Sequence, residues 1–164
     1  MATLLELRAA GRLIRFDPAL GPDEQELRLI YVLPELLDWL RDKLPQLGST
    51  WQIEQSPEEQ LDALIATYCS GEVLQYGRQF KTLNHVRDGI WELKTADLRM
   101  FGWFQARDCF IGTAANCADL IKVHRLYYGY CSEAVRKREL LDLDEPKYVP
   151  GNDPNAVVSN FDYP

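Results

Sequence analysis

The spacing of apolar residues predicts a first helix over residues 34–44. Pro34 suits the first turn of a helix, and Pro45 followed by Gly48 marks its end. The apolar positions fall on one helical face at Leu36, Leu37, Leu40 and Leu44. This segment is therefore predicted to be amphipathic, with its leucine face in the core.

A second helix is predicted over residues 57–69. Ser56 is a good N-cap, Pro57 follows it, acidic residues occupy the first turn, and Gly71 stands beyond the end. Its apolar stripe consists of Leu61, Leu64, Ile65 and Tyr68.

The apolar period changes from helical to strand-like near Gly89. The segments GIWELK, DLRMFGWFQA and DCFIGTAAN, within residues 89–116, are short, aromatic or small, and partly alternating. The residues at 106–108, ARD, are suited to a hairpin turn between the last two segments. We therefore expect an antiparallel meander over 89–117, with the two helices packed on one of its faces.

The remaining segments complete an α+β fold, a small antiparallel sheet with helices packed on it. LRLIYVL at 27–33 is β-branched and aromatic enough for a strand, and residues 3–17 suit either a strand pair or a short helix. A last helix is expected over 126–141. Residues 142–164 have few core residues and are predicted to be a tail or a docked arm.

Length and composition indicate one globular domain. The chain has 164 residues, 46% of them hydrophobic, and contains neither an apolar run of transmembrane length nor a signal-peptide pattern at the N-terminus. A cytoplasmic location is the expectation. The cysteines stand outside CxxC pairs, which favours buried free thiols over disulfides or a zinc site; they are Cys69, Cys109, Cys117 and Cys131.

Charge is distributed unevenly along the chain. The formal net charge is −7, yet residues 77–138 hold eleven Lys and Arg against six Asp and Glu, which leaves a net charge of +5 there and −12 elsewhere. A basic middle between acidic flanks indicates either a polyanion-binding surface or an ordinary mixed-charge surface.

The order of motifs in the basic middle resembles a known family. KTL at 81–83, GIWELK at 89–94, the arginine-led strand LRMFGWF at 98–104 and the basic run with a closing helix at 121–139 occur in sequence. Over roughly residues 33–140 this pattern is similar to the RelE/ParE toxin superfamily, within it the HigB-like, phage-associated branch. Lys94 stands where that branch usually has arginine, and Ile121 where it has a lysine.

The resemblance implies a RelE-like domain over residues 1–141, with an N-terminal extension of about 1–32 and an acidic C-terminal tail at 142–164. It also implies the toxin of a type II toxin–antitoxin system, a metal-independent endoribonuclease that needs no cofactor. The expected partners are mRNA, the ribosome and a cognate antitoxin. Two alternatives remain open: a non-catalytic phage or prophage interaction protein on the same scaffold, and a ParE-like inhibitor of DNA gyrase.

The RNA cleavage that the resemblance implies needs an attacking ribose 2′-hydroxyl, a base, an acid and fixed cations facing the phosphate. The predicted catalytic residues are Lys81, Lys94, Arg99 and His124. Lys122 and Arg125, in a basic run at 121–125 that is expected to be a loop, are predicted to bind RNA phosphates, and Tyr128 is predicted to stack on a base.

Each catalytic assignment has a structural alternative. Arg99 suits either a phosphate ligand or a cross-strand pair with Asp97 or Glu92. Lys81 and Lys94 each suit a source of positive charge or a solvated lysine, and Lys81 also suits a base. His124 suits either an acid–base group or a surface histidine.

Overall fold

A six-stranded mixed sheet forms the centre of the computed structural model, which describes residues 1–163. The described residues form eight strands, six of them in this sheet and two in a separate ribbon. They are β1 (Ile14–Arg15), β2 (Leu29–Val32), β3 (Leu74–Gln75), β4 (Phe80–Thr82), β5 (Ile90–Lys94), β6 (Leu98–Ala106), β7 (Cys109–Cys117) and β8 (Phe161–Asp162). The central sheet has the order β1-β2-β7-β6-β5-β4, antiparallel except where β2 pairs with β7, and β3 pairs with β8 in a separate parallel ribbon.

Five α-helices accompany the sheet in the described part of the chain. They are α1 (Leu4–Ala9), α2 (Pro34–Asp42), α3 (Pro57–Ser70), α4 (Ala118–Val123) and α5 (Tyr127–Leu140), with short 3-10 helices at Leu44–Gln46 and Pro154–Ala156. The α+β class, the strand at 27–33 and the helices expected at 34–44, 57–69 and 126–141 are thereby confirmed.

Local signals explain why α3 begins and ends where it does. The Ser56 hydroxyl accepts a hydrogen bond from the Glu59 amide at 3.2 Å, and the Glu59 carboxylate accepts one from the Ser56 amide at 3.2 Å. This reciprocal capping box satisfies amides that have no partner within the helix. Gly71 ends the helix with φ of 82°, a left-handed conformation that glycine adopts without a steric penalty.

The predicted meander is confirmed as β5, β6 and β7, with the β6–β7 turn at residues 107–108. The register shifts between Phe101 and Gly102, and a Cβ on Gly102 would lie 2.0 Å from the Ile111 carbonyl oxygen. Glycine at 102 therefore lets β6 and β7 approach each other closely at this irregularity.

Two apolar layers cover opposite faces of the sheet. On one face, leucines of α2 and α3 pack against Trp91, Met100 and Phe104. On the other face, Leu7 of α1, Ile121 of α4, and Cys131 and Ala134 of α5 pack with other strand residues. The expectation that α2 and α3 share one face is confirmed.

The basic run at 121–125 was expected to be a loop, and that prediction is wrong. Residues 118–123 form α4, because Ala118 and Ile121 lie one helical turn apart and are both buried against the sheet. Lys122 therefore projects from a helix, and Arg125 stands in the following turn with φ of 53°.

Residues 142–163 form a docked arm. Leu143, Val157 and Val158 are buried, and β8 adds Phe161 to the aromatic contacts of Phe80. The N-terminal segment is equally integrated, because β1 and β2 are strands of the central sheet.

Arg28 joins four parts of the fold. Its guanidinium donates to the carbonyl oxygens of Tyr68 at 2.9 Å, Glu72 at 3.0 Å and Asn160 at 2.9 Å. Its Nε lies 3.4 Å from the carboxylate of Asp108, and the side chain is fully buried. This contact ties β2, the end of α3, the β6–β7 turn and the C-terminal arm to one another.

Replacing Arg28 by methionine should destabilise the protein strongly. The change removes the cation beside the Asp108 carboxylate and one donor from each of three carbonyl oxygens, and breaking a buried ion pair costs about 3–5 kcal/mol. Urea denaturation should show this loss. The matched control is Arg41→Met, because Arg41 is exposed and paired only with Asp38, so it should cost less than about 1 kcal/mol. Equal stabilities for the two variants would contradict this role of Arg28.

Candidate functional site

Strand pairing places four charged side chains together on one face of the sheet. Lys81 of β4 is opposite Glu92 of β5, and Lys94 of β5 is opposite Arg99 of β6. Glu92 and Lys94 lie two residues apart on β5 and so share a face. We call Lys81, Glu92, Lys94 and Arg99 the charged cluster.

The charged cluster is largely buried. Glu92 is 2% exposed, Arg99 is 6% exposed, and the Lys94 side chain is 17% exposed, whereas Lys81 is exposed. A carboxylate so deeply buried needs neighbouring positive charge, and the Lys94 ammonium lies 4.0 Å from a Glu92 oxygen. Glu92 is thus next to Lys81, its cross-strand partner, and Lys94, and its negative charge offsets theirs.

Main-chain carbonyl groups hold the two cations near the β5–β6 hairpin. Arg99 donates through Nη1 to the carbonyl oxygens of Thr95 at 2.6 Å and Leu98 at 2.9 Å. Lys94 donates to the carbonyl oxygen of Gly77 at 2.7 Å. Within residues 1–163, the buried Arg99 Nε and Glu92 Oε2 make no hydrogen bond. The cluster therefore keeps one donor and one acceptor unused.

The environment shifts the pKa of three groups here. Burial raises the pKa of Glu92, and the positive charges of Arg99 and Lys94 oppose that shift. Burial and the nearby Arg99 lower the pKa of Lys94, while Glu92 opposes the change. Burial and the Glu92 charge raise the pKa of Tyr127, which belongs to α5. Perturbed groups facing one another in this way are typical of sites that transfer protons.

The structure brings some of the predicted site residues together and leaves others apart. Lys81, Lys94 and Arg99 meet in the cluster, and Lys122 on α4 is near enough for its charge to lower the pKa of Lys94. His124 is exposed at the end of α4, and no hydrogen bond or ion pair within residues 1–163 links it to the cluster.

The other two predicted RNA-binding residues have different surroundings. Arg125 is exposed in the turn between α4 and α5. Tyr128 is 62% exposed, and the Arg87 guanidinium lies over its ring, 4.5 Å from the centroid. Arg99 makes no ion pair with Asp97 in the described structure; the Asp97 carboxylate instead accepts hydrogen bonds from Gln60 and the Thr50 amide.

A cleft of about 780 Å³ adjoins the cluster where β5 and β6 meet their hairpin. We call it the glutamine cleft, because its polar lining includes Gln55, Gln60, Gln75 and Gln79; the rest of its lining is Ile53, Ala63, Leu64, Thr67, Val73, Gly77, Arg78, Lys94, Thr95, Ala96 and Arg99. Lys94 and Arg99 are thus common to the cluster and the cleft.

The sequence prediction missed Glu92 as a site residue and did not anticipate the glutamine cleft. The strand alternation carried a signal for Glu92, because that residue shares the period of Ile90 and stands between the apolar Trp91 and Leu93. An acid at such a position is expected to be buried and paired. The cleft had no comparable signal, since its lining comes from three separate stretches of chain, 53–67, 73–79 and 94–99.

Comparison of the chain with protein-family models, with functionally characterised proteins and with solved structures finds no match. Among residues 1–163, no helix is long and apolar enough to cross a membrane. The same residues contain no group of three or more His, Cys, Asp or Glu side chains placed to hold a metal ion.

Replacing Glu92 by glutamine should lower the pKa of Lys94 further. The Glu92 carboxylate stabilises the Lys94 ammonium, so without it the ammonium loses its proton at a lower pH. NMR titration of the Lys94 ε-ammonium measures the change. The control Glu133→Gln removes the same charge from the exposed face of α5 and should leave the Lys94 titration unchanged. A rise of the Lys94 pKa in Glu92→Gln would contradict the arrangement described for the cluster.

Proposed function

We propose that the protein is a metal-independent endoribonuclease with a RelE-like fold, acting as the toxin of a toxin–antitoxin system. The observation that carries the proposal is the charged cluster, in which cations from three adjacent strands surround one buried carboxylate beside an open cleft. The element order supports it as well, because a three-stranded meander follows two helices and precedes a closing helix.

The cations supply what phosphoryl transfer requires. Negative charge builds on the phosphoryl oxygens as the 2′-oxygen attacks phosphorus, and fixed positive groups stabilise that charge without reorganising. Arg99 is held by two main-chain carbonyl oxygens and is nearly buried, so its position is set before a substrate binds. Lys122 adds positive charge from the adjacent helix.

Proton transfer is assigned to the two lysines on either side of Glu92. Lys94, with its lowered pKa, takes the proton of the 2′-hydroxyl as a neutral amine. The 2′-oxygen then forms a bond to phosphorus, the bond from phosphorus to the 5′-oxygen breaks, and the Lys81 ammonium gives its proton to the leaving oxygen. The products are a 2′,3′-cyclic phosphate and a free 5′-hydroxyl. His124 has no part in this scheme, because no hydrogen bond or ion pair within residues 1–163 connects its side chain with the charged cluster.

The macromolecular partners follow from the same proposal. The substrate is mRNA, cleaved at the ribosome, and a cognate antitoxin is the protein that covers the cationic face between encounters. The net charge of −7 restricts attraction for RNA to the locally basic surface around the cluster. Binding should therefore weaken steeply with salt, as counterion release requires.

A second candidate is the non-catalytic interaction protein. The observation in its favour is that protein groups already satisfy much of the cluster: Arg99 and Lys94 donate to main-chain carbonyl oxygens, and Glu92 lies beside the lysine. In this alternative the charged cluster stabilises the sheet near the β5–β6 hairpin and binds no substrate. Cleavage assays decide between the two candidates.

Replacing Arg99 by glutamine should lower the rate of RNA cleavage by about 10²–10³, the usual effect of removing a preorganised group that stabilises transition-state charge. A labelled RNA, incubated with and without ribosomes, measures the rate. The control Arg107→Gln removes an equal charge from the β6–β7 turn at the other end of β6 and should leave the rate unchanged. Circular dichroism verifies that each variant is folded. If the wild-type protein cleaves under neither condition, the nuclease proposal fails.

Replacing Lys94 by arginine separates charge from proton transfer. Arginine keeps the positive charge but does not deprotonate in proteins, so RNA should still bind while cleavage falls by about 10²–10⁴. The wild-type rate should rise with pH until Lys94 has lost its proton, below the pH at which an ordinary lysine does so. The control Lys43→Arg lies on an exposed surface and should retain both the rate and its pH profile. Full activity in Lys94→Arg would exclude Lys94 as the base.

A further inference from the structure

We propose that the glutamine cleft binds a single nucleotide, with Arg78 at a phosphate and glutamine amides at the edge of the base. The inference rests on the proposed function in naming RNA as the source of that nucleotide. The cleft itself, its charge and its hydrogen-bonding groups are independent of whether cleavage takes place.

The lining of the glutamine cleft is positively charged in an acidic protein. Arg78, Lys94 and Arg99 line it, and among the residues that the structure describes none of the lining side chains is a carboxylate. Arg78 is exposed and makes no ion pair or side-chain hydrogen bond within residues 1–163. Its guanidinium is therefore available to a ligand, and the fork of donors on arginine matches the oxygens of a phosphate.

Backbone contacts connect Arg78 to the charged cluster. Gly77, its neighbour in the chain, accepts the hydrogen bond of Lys94, and the Arg78 amide donates to the Gln75 carbonyl oxygen at 3.2 Å. A phosphate at Arg78 is thus adjacent to the lysine proposed to react. Two successive phosphates of one RNA strand can therefore lie at Arg78 and at Lys94.

Unused amide groups distinguish the glutamine cleft from a simple anion site. The side chains of Gln55 and Gln75 make no hydrogen bond within the described residues, and Gln79 uses only its oxygen, which accepts from the Gln75 amide at 2.8 Å. Gln60 is different, because its side chain bonds to Asp97 and to the Gln55 carbonyl oxygen. Gln55 and Gln75 therefore have free groups that both donate and accept, as the edges of nucleobases do, and Gln79 has a free amide donor.

Size and apolar surface agree with the same ligand. A volume of about 780 Å³ lies within the range of sites that bind small molecules. Ile53, Leu64 and Val73 supply apolar contact for the face of a base. A bare phosphate would leave both these side chains and the glutamine amides unused.

The experiment uses the full chain and ligands that cannot be cleaved. The probes are the four 2′-deoxynucleoside 3′,5′-bisphosphates and the abasic deoxyribose bisphosphate, with dissociation constants measured by calorimetry. We expect a base-bearing probe to bind about threefold to tenfold more tightly than the abasic one, as a net gain of one hydrogen bond implies. Equal affinity of the abasic probe would overturn the role of the amides.

Matched variants test each part of the cleft. Arg78→Gln should weaken binding of every bisphosphate by about tenfold or more, since it removes hydrogen bonds to a charged group. Gln75→Met should abolish the preference for base-bearing probes and leave abasic binding intact. The controls Arg107→Gln and Gln25→Met make the same chemical changes at exposed positions outside the cleft lining. If Arg78→Gln and Arg107→Gln weaken bisphosphate binding equally, the loss reflects the net charge of the protein and the proposed site is overturned.

The outcomes separate this inference from the proposed function. Binding with the expected pattern but without RNA cleavage would sustain the nucleotide site and reject the nuclease. Cleavage that Arg78→Gln and Gln75→Met leave unchanged, together with absent bisphosphate binding, would sustain the nuclease and reject the site.

Discussion

Burial of the central sheet on both faces is the constraint on which the rest of the structure depends. Seven successive residues of β6, from Leu98 to Phe104, are buried, because α2 and α3 cover one face and α1, α4 and α5 cover the other. Any charged residue in these strands must find its compensation inside the protein. Glu92 and Arg99 satisfy that requirement within the charged cluster, whereas Arg28 does so with Asp108 and three carbonyl oxygens.

The same constraint explains the chemistry proposed for the cluster. Low exposure shifts the pKa of Lys94 downward and that of Glu92 upward, so both groups change protonation state closer to neutral pH than exposed side chains of the same kind. Main-chain acceptors at Gly77 and Thr95 keep the cations in place without neutralising them. On the proposed function, stability and reactivity have one origin, the withdrawal of charged groups from water.

Elements with local signals were predictable from the sequence, and long-range arrangements were not. Ser56, Pro57 and Gly71 define α3 through contacts within the chain segment itself, and the change of period near Gly89 identifies the meander. The parallel pairing of β2 with β7 joins residues about eighty positions apart, and no short-range pattern encodes it. In the candidate site, alternation along β5 and β6 was enough to place Lys94 and Arg99 on strands. The helix around Lys122 escaped notice because its apolar positions, Ala118 and Ile121, span a single turn beside many charges.

The hydrogen bond between Arg28 and Asn160 has a consequence for how the protein acquires its fold during synthesis. The two residues are 132 positions apart, so the guanidinium is synthesised long before one of its acceptors. Until Asn160 leaves the ribosome, Arg28, which directly precedes β2, lacks one of its hydrogen-bond acceptors. Burying the guanidinium at that stage is unfavourable, and this penalises early closure of the sheet over it. The nascent chain is therefore expected to stay loosely folded around Arg28 until the arm that carries Asn160 has been synthesised.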